Sequence, residues 1–379
     1  MKIAFVWLFD PRHILIQMRS ASYKAKCLED QSVELTYIGP FEEKYWRYFS
    51  IKKRIYNFFK KNYESFREPV VLKNFANQIL DKLSKLDVDI VFCHSSIPIS
   101  FLQCRQPTVF WVDATFAGMV DFYPEFFNLS HEYLRKGNFQ EQSALTNCFL
   151  AIYGSEWAAE TAIKHYQIEP SKIKIVPYGA NLEGNRTPED IDNLLKSKST
   201  QKCNLLFFGI ECYRKGGDLA IDIAKTLNKQ GLPTELNIIG CDPQLNEPLP
   251  DFIKAHGFIN KTTPEGLEKI NKVLSKTHFL IHPARAEAFG CALCEANSFG
   301  IPCLATNVGG IPSVIIDNIN GKLFSPTDGI DPYCDFITNS FTNFSGYKDL
   351  ARSSFQEYQT RLNWNVAGET VKKLLSEII

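Results

Sequence analysis

The sequence has no excess of charge of either sign: 42 Lys and Arg stand against 42 Asp and Glu, and neither end carries a tail of like charge. Without a basic face a chain gains little from a duplex, so nucleic acid is not expected as a partner. No apolar run approaches the ~20 residues needed to cross a bilayer. The segment from Met1 to Asp10 offers one cation and a short apolar run that ends at Pro11, with no small-residue cleavage site, and is expected to be a first strand. The 11 cysteines are odd in number and lack the paired spacing of a secreted disulfide framework. A soluble protein of the reducing cytoplasm fits these absences. The one C-x-x-C, Cys291 to Cys294, has no second pair to complete a zinc site, so small thiols packing a helix start are expected there.

At 379 residues the chain exceeds the usual single domain, and two domains are expected. Strand-like runs alternate with helical stretches: Ile3 to Phe9, Val33 to Ile38, Asp89 to Cys93, Thr108 to Val112, Phe149 to Tyr153 and Ile173 to Val176 in the first half. The second half repeats the rhythm with Asn204 to Phe208, Glu235 to Ile239, His278 to Ile281, Pro302 to Ala305 and Lys322 to Phe324. Such short β-branched or aromatic runs predict parallel sheets covered on both faces, hence two doubly wound α/β domains. Thr187, Pro188 and Asp190 read as an N-cap, a first-turn proline and an early acid, and the stretch from Lys196 to Lys202 is polar. The interdomain linker is placed there, with 1–190 before it and 191–362 after it. From Trp364, Val366, Val371, Leu374 and Leu375 are spaced for a final amphipathic helix.

Chemistry concentrates between Arg285 and Pro302, after the apolar run His278 to His282. A strand, a turn at Gly290 and a helix start are expected, with Glu287 before the turn and Glu295 about one helical turn beyond it. Helix-start N–H groups favour an anion, and Gly290 removes the side chain that would block its approach. Carboxylates accept from paired hydroxyls, so a phosphate pocket between Glu287 and Glu295 suggests a nucleotide sugar. The alternative is that Glu287 caps the helix and Glu295 is solvated.

The spacing Glu-x7-Glu within E-A-F-G-x4-E-A, followed by Gly300-Ile-Pro302, resembles the retaining glycosyltransferases of family 4 over nearly the whole chain. The resemblance implies the GT-B fold, with two Rossmann-like doubly wound domains facing a central cleft and the last helix, 363–379, crossing back onto an acceptor-side N-terminal domain. It implies transfer of a hexosyl group, with retention, from a UDP- or GDP-sugar to a hydroxyl of a glycan or lipid-linked acceptor, without metal or other cofactor. Glu287 would face the donor sugar and Glu295 would hold the ribose hydroxyls, with Phe289, Gly290, Cys291, Ala292 and Leu293 between them. The segment from Phe207 to Asp218 looks like the family's basic loop around the donor pyrophosphate. Lys215 carries over directly; Ile210 stands in the usual arginine place, and Arg214 is its candidate substitute. The base would lie across strand ends at Gly240, Phe258 and Ile259, with Gly209 of the basic loop also in the donor site. Asp113 ends a first-domain strand where the family often has a histidine, and either meets a sugar or caps the next turn. Segments 155–157 and 177–181 also resemble family segments lining the cleft. The family is thought to use a front-face displacement, so no protein nucleophile is required; Lys215, Arg214 and the helix start would stabilise charge on the leaving diphosphate.

Two places depart from the pattern. The first loop, Asp10-Pro11-Arg12 continuing to Arg19-Ser20-Ala21-Ser22, lacks glycine, and Ser313 stands where Glu is usual. These keep alive a degenerate, non-catalytic sugar-binding protein, while a nucleotide-sugar epimerase or sugar phosphorylase would share the architecture. The D-x-D pairs Asp87/Asp89 and Asp190/Asp192 precede a strand and fall in the linker helix, and no metal site is assigned to them. Lys44 to Lys61 holds seven basic residues, seven aromatics and no acid, with Tyr48, Ile51, Ile55, Phe58 and Phe59 on one side of a helix. That stripe suits contact with an anionic membrane at the cytoplasmic face, or a lipid-linked acceptor, and equally a core helix whose lysines reach outward.

Overall fold

The computed structural model describes residues 1–8, 19–42, 44–182, 184–243 and 248–379. Backbone contacts divide them between two units, Met1–Pro177 with Trp364–Ile379, and Tyr178–Asn363. The first unit is built on β1 (Lys2–Val6), β2 (Glu34–Ile38), β3 (Ile90–Cys93), β4 (Thr108–Val112), β5 (Leu150–Tyr153) and β6 (Ile173–Ile175). All pair in parallel, in the order β2-β1-β3-β4-β5-β6. β3, β4 and β5 are buried at every residue, which is why they read as unbroken apolar runs rather than as alternation. The helices are α1 (Arg19–Asp30), α2 (Trp46–Phe58), α3 (Pro69–Leu83), α4 (Phe116–Met119), α5 (His131–Asn147) and α6 (Glu156–His165). α3 shows the covering pattern: Leu72, Phe75, Ala76, Ile79 and Leu83 recur at helical spacing and are buried.

The second unit holds β7 (Cys203–Phe208), β8 (Thr234–Ile239), β9 (Ile253–Ala255), β10 (Phe279–His282), β11 (Cys303–Thr306) and β12 (Gly321–Phe324), all parallel, in the order β12-β11-β10-β7-β8-β9. Its helices are α7 (Pro188–Ser197), α8 (Gly217–Lys229), α9 (Pro264–Lys276), α10 (Cys291–Asn297), α11 (Ile311–Val314), α12 (Asp331–Thr342) and α13 (Phe344–Thr360). Its core gathers Leu205, Phe207, Ile223, Ile238, Phe279 and Tyr347. Strand order reverses between β1 and β3 in the first unit and between β7 and β10 in the second. Crevices beyond the carboxyl ends of strands at such points are where open parallel sheets take ligands.

The last helix, α14 (Trp364–Ser376), belongs to the first unit. It lies so close on α1 that a Cβ at Gly368 would meet the Cys27 carbonyl oxygen at 2.5 Å, and Trp364 stacks on Tyr23 and sets its edge to Trp111.

Three expectations need correction. The units part at Pro177–Tyr178, not at 190, because Ala180 N donates to Leu362 O and the Tyr178 ring packs 4.8 Å from Phe289. The segment read as linker is not one: α7 buries Ile191 and Leu195 in the second core, and the buried Lys198 donates to Tyr347 Oη. Its start is formed as read, with Thr187 as N-cap and Pro188 in the first turn, and Asp190 completes a capping box with Thr187. The stretch Arg19 to Ser22, read as part of a loop, begins α1, while Asp10, Pro11 and Arg12 lie outside the described residues. β9 escaped the sequence reading because its three residues are too few to show a period.

Candidate functional site

β7 and β10 are neighbours, and the loops that follow them meet at the reversal point of the second sheet. Glu287 lies in the loop from β10 to α10 and is buried. Lys215, in the loop from β7 to α8, donates from Nζ to its Oε2 at 2.6 Å, His282 Nε2 stands at 3.2 Å, and Arg214 Nη1 at 3.7 Å. Burial alone would raise the Glu287 pKa, but Lys215, His282 and Arg214 together hold it well below the usual carboxylate range. Burial lowers the His282 pKa despite Glu287, and its Nδ1 has no hydrogen-bond partner. Lys215 reaches Glu287 because residue 209 is glycine: a Cβ there would stand 2.3 Å from the Lys215 side chain. The turn into α10 needs glycine for another reason, since Gly290 has φ 92°, a left-handed conformation that costs other residues energy.

Arg214 is buried and engaged. It donates to the Glu211 carboxylate and to Ala286 O, bracketing the two loops together. Arg285 forks onto Asp218 and lies over the Tyr213 ring, fixing the same loop from outside. Glu287 does not cap α10, whose N-cap is Gly290.

Glu295 sits within α10, buried, with both carboxylate oxygens taking hydrogen bonds from Lys261. The Lys261 ammonium also stands 4.3 Å from the Phe208 ring centroid, a cation–π contact at the end of β7. Glu295 is therefore not the solvated residue of the alternative reading. Gly240, after β8, donates to Gly257 O, and beyond β9 Phe258 presents an exposed ring while Ile259 is buried. Phe289 and Leu293 are buried; Cys291 and Ala292 are half-buried at the first turn of α10. Sequence reasoning missed Lys261, His282 and Glu211.

Asp113 follows β4 in the first unit and is exposed. It does not cap the next turn, because Thr115 is the N-cap of α4 and accepts from Gly118 N. Asp113 lines a cavity of about 380 Å³ with Lys24, Arg67, His94, Ser96 and Glu141, none of which the sequence reading singled out. Burial and the nearby Lys24 push the His94 pKa down to about 4, so the ring is neutral at pH 7.

The remaining candidates sort by their partners. Asp87 pairs with Lys2 Nζ at 2.8 Å and Asp89 accepts from Lys2 N; Asp190 caps α7 and Asp192 takes Arg352. None of the 11 cysteines is in a disulfide, and among the described residues no three His, Cys, Asp or Glu side chains converge as a metal site would require. The core-helix reading of Lys44 to Lys61 does not hold. In α2 only Phe49 is buried, and Tyr48, Ile51, Ile55, Phe58 and Phe59 are exposed. Lys52 is tied to Glu68 and Glu132 and Lys53 to Glu64, which leaves Arg47, Arg54 and Lys60 exposed beside the stripe. No helix among the described residues is long and apolar enough to cross a membrane.

The sequence profile described as Glycosyltransferase Family 4 matches residues 19–183, and that described as Glycosyl transferases group 1 matches residues 189–332. The chain is similar to the phosphatidylinositol N-acetylglucosaminyltransferase GPI3 subunit of Saccharomyces cerevisiae (strain YJM789), 25% identical over 233 residues, which cover 60% of this chain and 51% of that protein. It is also similar to the lipopolysaccharide glucosyltransferase WaaG of Escherichia coli (strain K12), 30% identical over 162 residues, 41% of this chain and 42% of that protein. The chain spans about half the length of the curated relatives it matches. Among solved structures, Anabaena Alr3699/HepE in complex with UDP superposes with a TM-score of 0.68 at 16% identity, each chain covered 100%. The crystal structure of WaaG gives 0.65 at 17% identity, with 99% of each chain covered. Both likenesses speak for the fold, two parallel α/β sheets of the GT-B type.

Proposed function

The chain belongs to family 4 of the glycosyltransferases, and from that premise we propose that it transfers a hexosyl group, with retention, from a UDP- or GDP-sugar to the hydroxyl of a glycan or lipid-linked acceptor. The observation that carries this reading is the meeting of two loops at the β7/β10 reversal, where a buried carboxylate, Glu287, is held ionised by Lys215 and flanked by His282 and Arg214. A diphosphate arriving beside Lys215 competes with Glu287 for its ammonium. Lys215 is then placed to neutralise charge that grows on the leaving phosphate as the glycosidic bond breaks. Arg214, engaged by Glu211 and Ala286 O, keeps the two loops in register rather than reaching for phosphate. Glu287 faces the sugar as a hydroxyl acceptor. Glu295 receives the ribose hydroxyls once Lys261 yields its place. UDP is favoured as the nucleotide by the UDP bound in the Anabaena protein of the same fold. No side chain here need form a covalent intermediate, and no metal is needed where lysine supplies the positive charge.

Incubation with a panel of UDP- and GDP-sugars tests this. Slow release of free nucleotide supports a transferase hydrolysing its donor; an isomerised sugar would mean an epimerase, and binding without turnover a sugar-binding protein.

A peripheral contact with an anionic membrane surface is favoured by α2. Phe58 and Phe59 are 82% and 66% exposed, beyond what a lone surface aromatic needs, and they continue a stripe with Ile51 and Ile55 edged by Arg47, Arg54 and Lys60. Such a surface suits an enzyme whose acceptor is lipid-linked.

A further inference from the structure

The first unit carries its own cavity, about 380 Å³, at the carboxyl ends of β1, β3 and β4. It lies at the reversal of that sheet, and its volume falls within the ~300–1,000 Å³ typical of small-molecule sites. Buried polar side chains that the donor chemistry does not use line it, among them Lys24, whose Nζ donates to Trp111 O at 2.7 Å, Arg67 and Glu141. Arg67, at the end of the short turn Ser65–Arg67, is 7% exposed, its guanidinium 4.7 Å from the Phe116 ring centroid and 5.6 Å from that of Phe126. Its Nε has no hydrogen-bond partner, and among the described residues no carboxylate or carbonyl pairs with the guanidinium. Glu141, on α5, is 2% exposed; its Oε2 accepts from Ser96 Oγ at 2.9 Å, while its Oε1 has no partner.

A guanidinium does not deprotonate inside a protein, and the charge of Glu141 acts on Arg67 only from beyond ion-pair distance, so the donor that Arg67 leaves unpartnered favours an acceptor that can reach it. The Phe116 and Phe126 rings pack beside the Arg67 guanidinium, whose N–H donors form a fork that matches the paired oxygens of carboxylate or phosphate. Burial raises the Glu141 pKa, against the opposing charge of Arg67 and the Ser96 hydrogen bond, and so favours its neutral form. Asp113 on the cavity wall is exposed, where solvent screens charge. His94, with Nδ1 3.4 Å from Val6 O, presents Nε2 as an acceptor.

We propose that this cavity binds an acceptor carrying an anionic group, phosphate or carboxylate, whose oxygens Arg67 grips while the sugar hydroxyls meet Asp113 and His94. The inference rests on the glycosyltransferase reading, since it assigns the acceptor's chemistry. Its test is calorimetric titration of the full chain, saturated with UDP, with glucose 6-phosphate, glucuronate and glucose. At least one anionic sugar is expected to bind tenfold or more tighter than glucose, and which one tells phosphate from carboxylate. Arg67→Met keeps an apolar stem between the rings and is expected to lose that preference with its UDP affinity unchanged. Equal affinity for all three sugars, or an unchanged preference in Arg67→Met, overturns the proposal; should that variant not melt cooperatively, the wild-type comparison decides alone. Nucleotide release from a UDP-sugar by the same preparation separates the two claims. Release without discrimination among the sugars sinks only the anionic acceptor, whereas an anionic preference in a protein that neither binds nor cleaves nucleotide sugars leaves the cavity as an anion site and sinks the transferase.

Discussion

Replacing Lys215 with Met keeps most of the stem that fills the space above Gly209 and removes the ammonium 2.6 Å from Glu287 Oε2. At an effective dielectric of about 20, an ion pair at that distance is worth roughly 6 kcal/mol of gross Coulomb energy, before desolvation is subtracted. Glu287 is not left bare, because Arg214 Nη1 remains at 3.7 Å and contributes roughly 4 kcal/mol on the same scale. The stability loss should therefore fall below the ~3–5 kcal/mol of a stripped buried pair, at about 1–2 kcal/mol. Turnover should suffer more. A fixed cation aimed at charge that appears only as the bond breaks is worth about 3–4 kcal/mol, so the rate with saturating donor should drop roughly 100- to 1,000-fold. Binding of UMP, which lacks the terminal phosphate, should change little. Donor hydrolysis, UMP titration and thermal melting on one preparation give the three numbers. Near-normal turnover at saturating donor, or a rate loss no larger than the stability loss predicts, would refute the phosphate role of Lys215 and leave it a structural partner of Glu287.

Donor hydrolysis should survive EDTA undiminished, and a loss restored by Mg2+ or Mn2+ would contradict the assignment of charge neutralisation to Lys215. Replacing Ile55, Phe58 and Phe59 with Ser should abolish sedimentation with phosphatidylserine vesicles at low ionic strength, while melting and donor hydrolysis stay near wild type because these side chains are exposed; a wild type that ignores such vesicles defeats the membrane reading. Burial pushes the Lys198 pKa down to about 7, against about 10.4 unfolded. Between those values the unfolded chain binds the extra proton, so this residue makes stability rise with pH by up to about 1.4 kcal/mol per unit. Denaturant midpoints from pH 7.5 to 9.5 should show wild type gaining on Lys198→Met as pH rises, and parallel curves would mean the ammonium stays charged in the fold.

What the sequence disclosed, it disclosed locally. Glu287, Gly290 and Glu295 fall in one strand–turn–helix segment whose spacing alone states the geometry, and the central strands β3, β4, β5, β10 and β11 are buried at every residue, so their apolar runs stand out. Lys261 left no signal: it reaches Glu295 from a loop 34 residues upstream, and a single lysine there looks like any solvated charge. Arg67 and Glu141 line one cavity because the turn before α3 and the helix α5 both come to the carboxyl ends of the central strands, which no local pattern encodes. The boundary at 177 was hidden because Thr187 and Pro188 announce a helix without saying which core buries Ile191 and Leu195. For α2, an apolar stripe edged by cations fits a core or a surface equally, and only burial decides between them.

The central claim is that two carboxylates divide one donor between them, Glu295 taking the ribose and Glu287 the transferred sugar. The most direct measurement pairs UDP affinity with UDP-sugar turnover in Glu295→Ala and Glu287→Gln. The account predicts that Glu295→Ala weakens UDP binding about tenfold or more, the loss of hydrogen bonds to a charged acceptor at about 1.5–3 kcal/mol each. It predicts that Glu287→Gln binds UDP as wild type does yet turns the donor over poorly. Equal UDP affinity in wild type and Glu295→Ala, or full turnover in Glu287→Gln, would contradict it.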